Sequence, residues 1–307
     1  MTPPFKNVIQ VLDYFKEEKT CVDYLAAQRW GDTPACPHCG NIGAYVTNRG
    51  FKCKAKECGK KFTVTTGTTF ENTKISLRYW FAAMYLCTAH KKGISSLQLS
   101  RDLDITQKTA WFILHRIREM LTIYNETKLT GTVEVDETYV GGKHRNKHKR
   151  QRDKLNEKGT GSVNKAPVLA MLQRDGKVVT RIVPHADGST IKPFIYEVVA
   201  KGATVYTDGF GAYKGLDKDF THEIVKHDAD EYVRPGGIHT NSIEGFWSQL
   251  KRGIIGTFHN VSPKHLHRYC HEFGFKYNTR KITDVERFNS VLKLTDNKRL
   301  KYDRLIS

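Results

Sequence analysis

Apolar residues recur along this chain with two periods, and each period predicts a different element. In His239 to Gly253 (HTNSIEGFWSQLKRG), Ile243, Phe246, Trp247 and Leu250 form one helical stripe. Glu244, Ser248 and Lys251, at i, i+4 and i+7, form another. Burying the apolar stripe against a sheet leaves a carboxylate and an ammonium in line two turns apart, an odd pair for a purely structural helix. Strict alternation in Thr132-Val133-Glu134-Val135-Asp136 and in Ala203 to Asp208 predicts two strands, each ending on an aspartate. Seventy-one residues separate Asp136 from Asp208 and thirty-five separate Asp208 from Glu244, so the three carboxylates can meet at one sheet edge.

The same reading covers the rest of the chain. Helices are expected over Asn7 to Glu18 and over Thr20 to Arg29, the second capped by Thr20 and stopped by Gly31. A largely apolar helix follows over Ser76 to His90. Then come a short helix (Ser95 to Leu103), a turn at Asp104-Ile105, and a longer helix from its N-cap Thr106 to Tyr124. Short helix, tight turn, longer helix is the helix-turn-helix plan. Gln107 and Lys108 open the second helix, where a recognition helix meets the major groove, and Arg116 and Arg118 lie further along it. After Leu129 strands take over: Val133 to Asp136, Tyr139-Val140, and a hairpin of Val168 to Gln173 with Lys177 to Val183 across Arg174-Asp175-Gly176. A helix capped by Ser189 (Thr190 to Lys201), the strand to Asp208 and an edge strand at Glu223 to Val225 lead into the Glu244 helix. Helices from Pro263 to Tyr277 and from Asp284 to Leu294 close the chain.

Cysteine spacing adds a metal site. Cys36 and Cys39 are followed, after strand-like residues, by Cys53 and Cys58, and each pair precedes a glycine. Two such knuckles supply four thiolates to one tetrahedral zinc, with Zn–S distances of about 2.3 Å. Four protein ligands leave no place for a reacting water, so one structural Zn²⁺ is expected. Cys21, Cys87 and Cys270 lie in apolar helical settings and read as buried thiols.

Charge then narrows the partners. The 307 residues carry a formal net charge of +18 with ordinary hydrophobic content (39%), which implies a polyanionic partner. No run of 18 apolar residues exists and the N-terminus has no signal-peptide pattern, so double-stranded DNA is favoured over a membrane and a cytoplasmic, nucleoid-associated location is expected. Residues 143 to 154 hold seven Lys or Arg, among them Lys143, Arg145 and Lys147, and are expected to order on phosphates. Three acids in so basic a chain point to divalent metal ions.

The blocks VEVDETYVGGK, YTDGFGAY and HTNSIEGFWSQLKRG, together with the cysteine pairs, resemble the DDE transposases of bacterial insertion sequences that carry an N-terminal zinc ribbon. The resemblance implies a multi-domain α/β protein: an N-terminal helical segment (1–34), a zinc ribbon (35–70), a helix-turn-helix region (71–127), an RNase H-like catalytic domain (128–282) and a C-terminal helix with a basic tail (283–307). It implies two catalytic Mg²⁺ (or Mn²⁺) ions held by Asp136, Asp208 and Glu244, with Asn241 as the alternative third residue, and Lys251 against the DNA backbone. A dimer or higher oligomer on paired terminal repeats follows from the need to join two ends. Two rival activities use parts of the same chain. A ribbon and helix-turn-helix regulator leaves the acids idle, and an RNase H-like nuclease or resolvase cuts without joining.

Overall fold

The computed structural model describes residues 5–122, 128–142, 149, 165–225 and 233–307. The chain forms two compact units, Met1–Thr122 with Thr279–Ser307, and Ile123–Asn278.

In the first unit, α1 (Val8–Tyr14) is capped by Asn7, whose side chain accepts from the Gln10 amide, and α2 (Glu18–Trp30) ends at Gly31 with φ 62°. Thr20 is not the cap of α2. The helix starts two residues earlier, with Glu17 at the cap and Glu18 in the first turn, where a negative charge suits the helix dipole. The Glu18 carboxylate also accepts from the Leu77 amide and the Ser76 hydroxyl at the start of α3 (Leu77–Ala89). Between α2 and α3 lies a three-stranded antiparallel ribbon of β1 (Ala44–Thr47), β2 (Gly50–Cys53) and β3 (Lys61–Phe62). Gly50 is required there: φ is 127° and a Cβ would stand 2.5 Å from the Phe62 carbonyl oxygen. Next come α4 (Ser96–Leu103), capped by Ser95, and α5 (Gln107–Met120), capped by Thr106, with Asp104 left-handed between them.

The second unit is built on one sheet of β4 (Thr132–Val140), β5 (Ala166–Gln173), β6 (Val178–Ile182), β7 (Thr204–Asp208) and β8 (Thr221–Val225), in the order β6-β5-β4-β7-β8. β4 is antiparallel to β5 and parallel to β7, and β8 is a parallel edge. β4 does not break at Asp136 as its sequence pattern implies. Pairing with β5 from Val133–Gln173 to Val140–Ala166 keeps Glu137 and Thr138 in the ladder. Between β6 and β7, α6 spans Gly188–Val198 with Asp187 as its cap, a shorter helix than Thr190 to Lys201. It stops because Leu129 captures the next stretch, donating to the Val198 carbonyl and accepting from the Ala200 amide.

Period-two alternation sorts the sheet into two faces. Val133, Val135, Leu169 and Met171 pack with Ile191 and Ile195 of α6, whereas Val168, Ala170 and Leu172 pack beneath α7 (Asn241–Gly253) and α8 (Pro263–Asn278). The stripe of α7 is the expected one. Ile243, Phe246, Trp247 and Leu250 are buried, at about 2 kcal/mol each, while Asn241, Glu244 and Lys251 are exposed. Gly253 ends α7 where a Cβ would fall 2.0 Å from the Phe273 ring, so α7 and α8 approach that closely only over glycine.

After α8 the chain returns to the first unit. The segment 283–307 is therefore not a separate piece. α9 (Asp284–Leu292), with a Thr283/Glu286 capping box, sets Phe288 against Phe5, Phe15 and Phe81 at centroid distances of 5.9, 6.0 and 5.7 Å. A short α10 (Tyr302–Ile306) follows. No helix among the described residues is long and apolar enough to cross a membrane.

Candidate active site

β4 and β7 pair only through Thr132–Thr204, Val133–Val205 and Glu134–Tyr206. Continued by two residues, the same register sets Asp136 opposite Asp208, where the two strands are no longer bonded. Two acids expected at strand ends are thus neighbours across an opening in the sheet, although Asp136 lies inside its own strand. Their fields overlap. Burial, then repulsion from Glu137 and, more weakly, from Asp208, pushes the Asp136 carboxyl up to about 7. Glu137, on the opposite face of β4, is raised by its own burial and by Asp208, and it accepts a hydrogen bond from the buried Tyr213 hydroxyl.

α7 reaches this cluster through Trp247, whose indole N–H donates to Asp136 Oδ2 at 2.9 Å. Glu244 lies one turn before Trp247 on the exposed side of α7, and Thr240 Oγ1 donates to its Oε1 at 3.3 Å. Asn241 and Lys251 are exposed at the two ends of the same helix. The fit to hard divalent cations rests on the donors: carboxylate oxygens whose mutual repulsion a dication relieves.

A pH dependence follows with a definite sign. Because the folded state holds the Asp136 proton more tightly than an unfolded aspartate, with its ordinary value of 3.8, stability from this group is fullest at low pH and is lost as pH rises toward about 7. Denaturant melts in chelator are expected to show the second unit weakening over that range, by at most about 1.4 kcal/mol per pH unit. Millimolar Mg²⁺ or Asp136→Asn should remove most of the slope; a slope unchanged in Asp136→Asn would contradict this origin.

In the first unit the Sγ atoms of Cys36, Cys39, Cys53 and Cys58 lie within 4.8 Å of one another, the one such ligand cluster among the described residues. Cys36–Cys58 and Cys39–Cys53 are 3.9 and 3.6 Å apart, close to the roughly 3.8 Å edge of a tetrahedron with 2.3 Å Zn–S bonds. These thiols cannot all ionise unaided. Burial opposes ionising Cys36, yet the His38 and Cys39 amides bring it down to about 7, whereas burial and the neighbouring thiols push Cys53 up to about 12. A zinc ion would supply the missing positive charge.

At the start of α5, Gln107 and Lys108 are exposed. Gln107 Nε2 donates to Ser96 Oγ of α4 at 2.7 Å, and the Lys108 ammonium sits 4.9 Å over the Tyr302 ring. Arg116 and Arg118 are not on that surface. Both are buried, Arg116 against Trp80 and Phe112 at 5.4 and 5.3 Å, because the apolar face of α5 is wide enough to include them. Lys143, Arg145 and Lys147 lie outside the described residues. Sequence reasoning missed Glu134, Glu137, Arg174, Tyr213 and the polar role of Trp247. The available signal was three carboxylates, Glu134, Asp136 and Glu137, within one nine-residue strand.

Residues 128–278 match the family described as the ISXO2-like transposase domain, and residues 16–61 match the transposase zinc-ribbon domain. An "uncharacterized protein in transposable element ISH50" of Halobacterium salinarum is 31% identical over 294 residues, covering 91% of this chain and 97% of that protein. An "uncharacterized transposase-like protein" of Haemophilus influenzae is 31% identical over 107 residues, covering 34% of this chain and 85% of its own length.

Proposed function

The chain belongs to the ISXO2-like transposases, DDE-type insertion-sequence proteins with an N-terminal zinc ribbon, and on that basis we propose that it binds the terminal repeats of its element, cleaves the ends and joins the 3′-OH to target DNA. The observation that carries this reading is Asp136 set opposite Asp208 where β4 and β7 part. The sheet order, three antiparallel strands followed by two parallel ones with helices on both faces, supports an RNase H-like catalytic domain.

Two Mg²⁺ ions, when bound, supply activation of the attacking oxygen and stabilisation of the leaving one. Asp136, Asp208 and Glu244 would hold them. Glu244 is preferred to Asn241 because an anion binds Mg²⁺ better than an amide. Trp247 holds Asp136 by one oxygen and so fixes the direction of the other. Lys251, two turns beyond Glu244, neutralises backbone phosphate. α4 and α5 act as a helix-turn-helix whose exposed first turn, Gln107 and Lys108, enters the major groove. Lys143, Arg145 and Lys147 add phosphate contacts, the zinc is structural, and the chain works as a dimer or higher oligomer on paired ends.

The test supplies a pre-cut end with a free 3′-OH, target plasmid and Mg²⁺, and reads joined product. Joining is expected. Cutting of intact ends without joining would leave a nuclease, and repeat binding with neither reaction would leave a regulator. Replacing Gln107 and Lys108 together by Ala should weaken repeat binding about 10-fold or more and flatten its salt dependence by roughly one contact. Unchanged affinity would remove α5 from the interface.

A further inference from the structure

Glu134 lies two residues before Asp136 on β4, so both carboxylates point at the face that α7 covers. It is fully buried, and both of its oxygens are engaged. Arg174 Nε donates to Oε1 at 2.9 Å, and the backbone N–H of Ile243 donates to Oε2 at 2.9 Å. His239 Nδ1 stands 3.6 Å from Oε1. Arg174 donates onward to the carbonyls of Gly237 and His239, at 2.8 and 2.9 Å, and lies 4.8 Å over the Tyr206 ring.

These contacts gather at the start of α7, where His239 Nδ1 accepts from the Asn241 amide at 3.3 Å and Thr240 makes no side-chain cap hydrogen bond to the Ile243 amide. A carboxylate 109 residues upstream does that work. The spacing is what gives it meaning. Glu134 and Asp136 stand about 6.6 Å apart along a strand, and Ile243 and Trp247 about 6 Å apart along a helix. The two strand acids therefore grip successive turns of α7, one at the Ile243 amide and the other at the Trp247 indole. A helix held at two points cannot slide along the strand, and Glu244 lies between those points.

We propose that Glu134 and Arg174 form a brace that sets the position of α7 along β4 and thereby fixes Glu244 relative to Asp136. Glu134 is then a positioning residue of the acid site, which it supports without touching substrate. Its catalytic consequence rests on the reading of that site given above. The brace itself does not.

Glu134→Gln and Arg174→Gln in the full-length chain test it, the second covering the case in which the buried substitution fails to fold. Both should retain zinc and bind end DNA within about twofold of the parent, since the phosphate and base contacts lie elsewhere. Hydrogen exchange across the first turn of α7 should quicken about 10-fold or more while α8 is unchanged. The Mg²⁺ concentration that half-saturates cleavage should rise about 10-fold to 100-fold, as when the support of a metal ligand is removed. Parental exchange in the first turn overturns the brace. Faster exchange with parental Mg²⁺ dependence, or loss of the whole fold in both variants, overturns its positioning role. A parent chain with no Mg²⁺-dependent cleavage would instead sink the active-site reading, and the exchange measurement would still decide the brace.

Discussion

Asp136→Ala or Asp208→Ala is expected to lower both end cleavage and strand transfer by roughly 10³-fold or more, because each removes a ligand oxygen from a reaction that depends on positioned cations. Binding to end DNA should survive. The ribbon and α5 do not include these residues, and removing a negative charge from a surface that faces phosphate eases its approach. Loss of binding together with activity would indicate a folding defect, which circular dichroism separates from a chemical one. At the third position the ranking discriminates: Glu244→Gln should abolish activity while Asn241→Ala reduces it modestly, and the reverse order would transfer the role to Asn241. Lys251→Ala should weaken engagement of the end more than the chemical step, since an ammonium on the phosphate side positions substrate. An Asp136→Ala protein that joins a pre-cut end at the parental rate in Mg²⁺ would refute the mechanism.

Cys39→Ser should have the largest structural effect. The ribbon holds only a small apolar cluster, Cys36, Cys53 and Phe62 with Trp30 and Phe51 against them, too little to fold three short strands alone. A four-thiolate zinc contributes about 10–16 kcal/mol of apparent binding energy to such modules, and that energy is folding energy. With one thiolate gone, zinc per chain should fall from one equivalent toward zero, and β1 to β3 should exchange their amides freely. α3 and α9, whose packing rests on aromatic contacts, should keep their protection. A Cys39→Ser protein holding a full equivalent of zinc with a protected ribbon would remove the four-thiolate site.

Much of this was legible in the sequence because local patterns carried it. The thiol spacing, the cap Thr106, the Arg174 to Gly176 turn and the apolar stripe of α7 all follow from rules that act over a few residues. What was hidden is non-local. β4 runs on through Asp136 because β5, thirty or more residues later, pairs with it. α6 ends early because Leu129 competes for its last carbonyls. Arg116 and Arg118 look like a basic surface until Trp80 and Phe112 are seen beside Arg116 and both are found buried. Within the site the sequence indicated the acids at Asp136, Asp208 and Glu244 but not their supports, since Glu134, Tyr213 and Trp247 acquire their roles only when distant strands and helices bring partners to them.

The return of the chain to its first unit has a consequence for biosynthesis. Phe5, Phe15 and Phe81 are made early, but the ring that completes their cluster, Phe288, is added only after all of Ile123–Asn278. At roughly 5–20 residues per second the intervening stretch takes about 10–40 s to translate. For that interval the N-terminal helices wait with an open aromatic face, while the sheet carrying the acids has everything it needs to fold. A nascent chain thus completes its acid-bearing unit first and its ribbon-bearing unit last, and a product truncated before α9 would keep an intact sheet on a first unit that never closes.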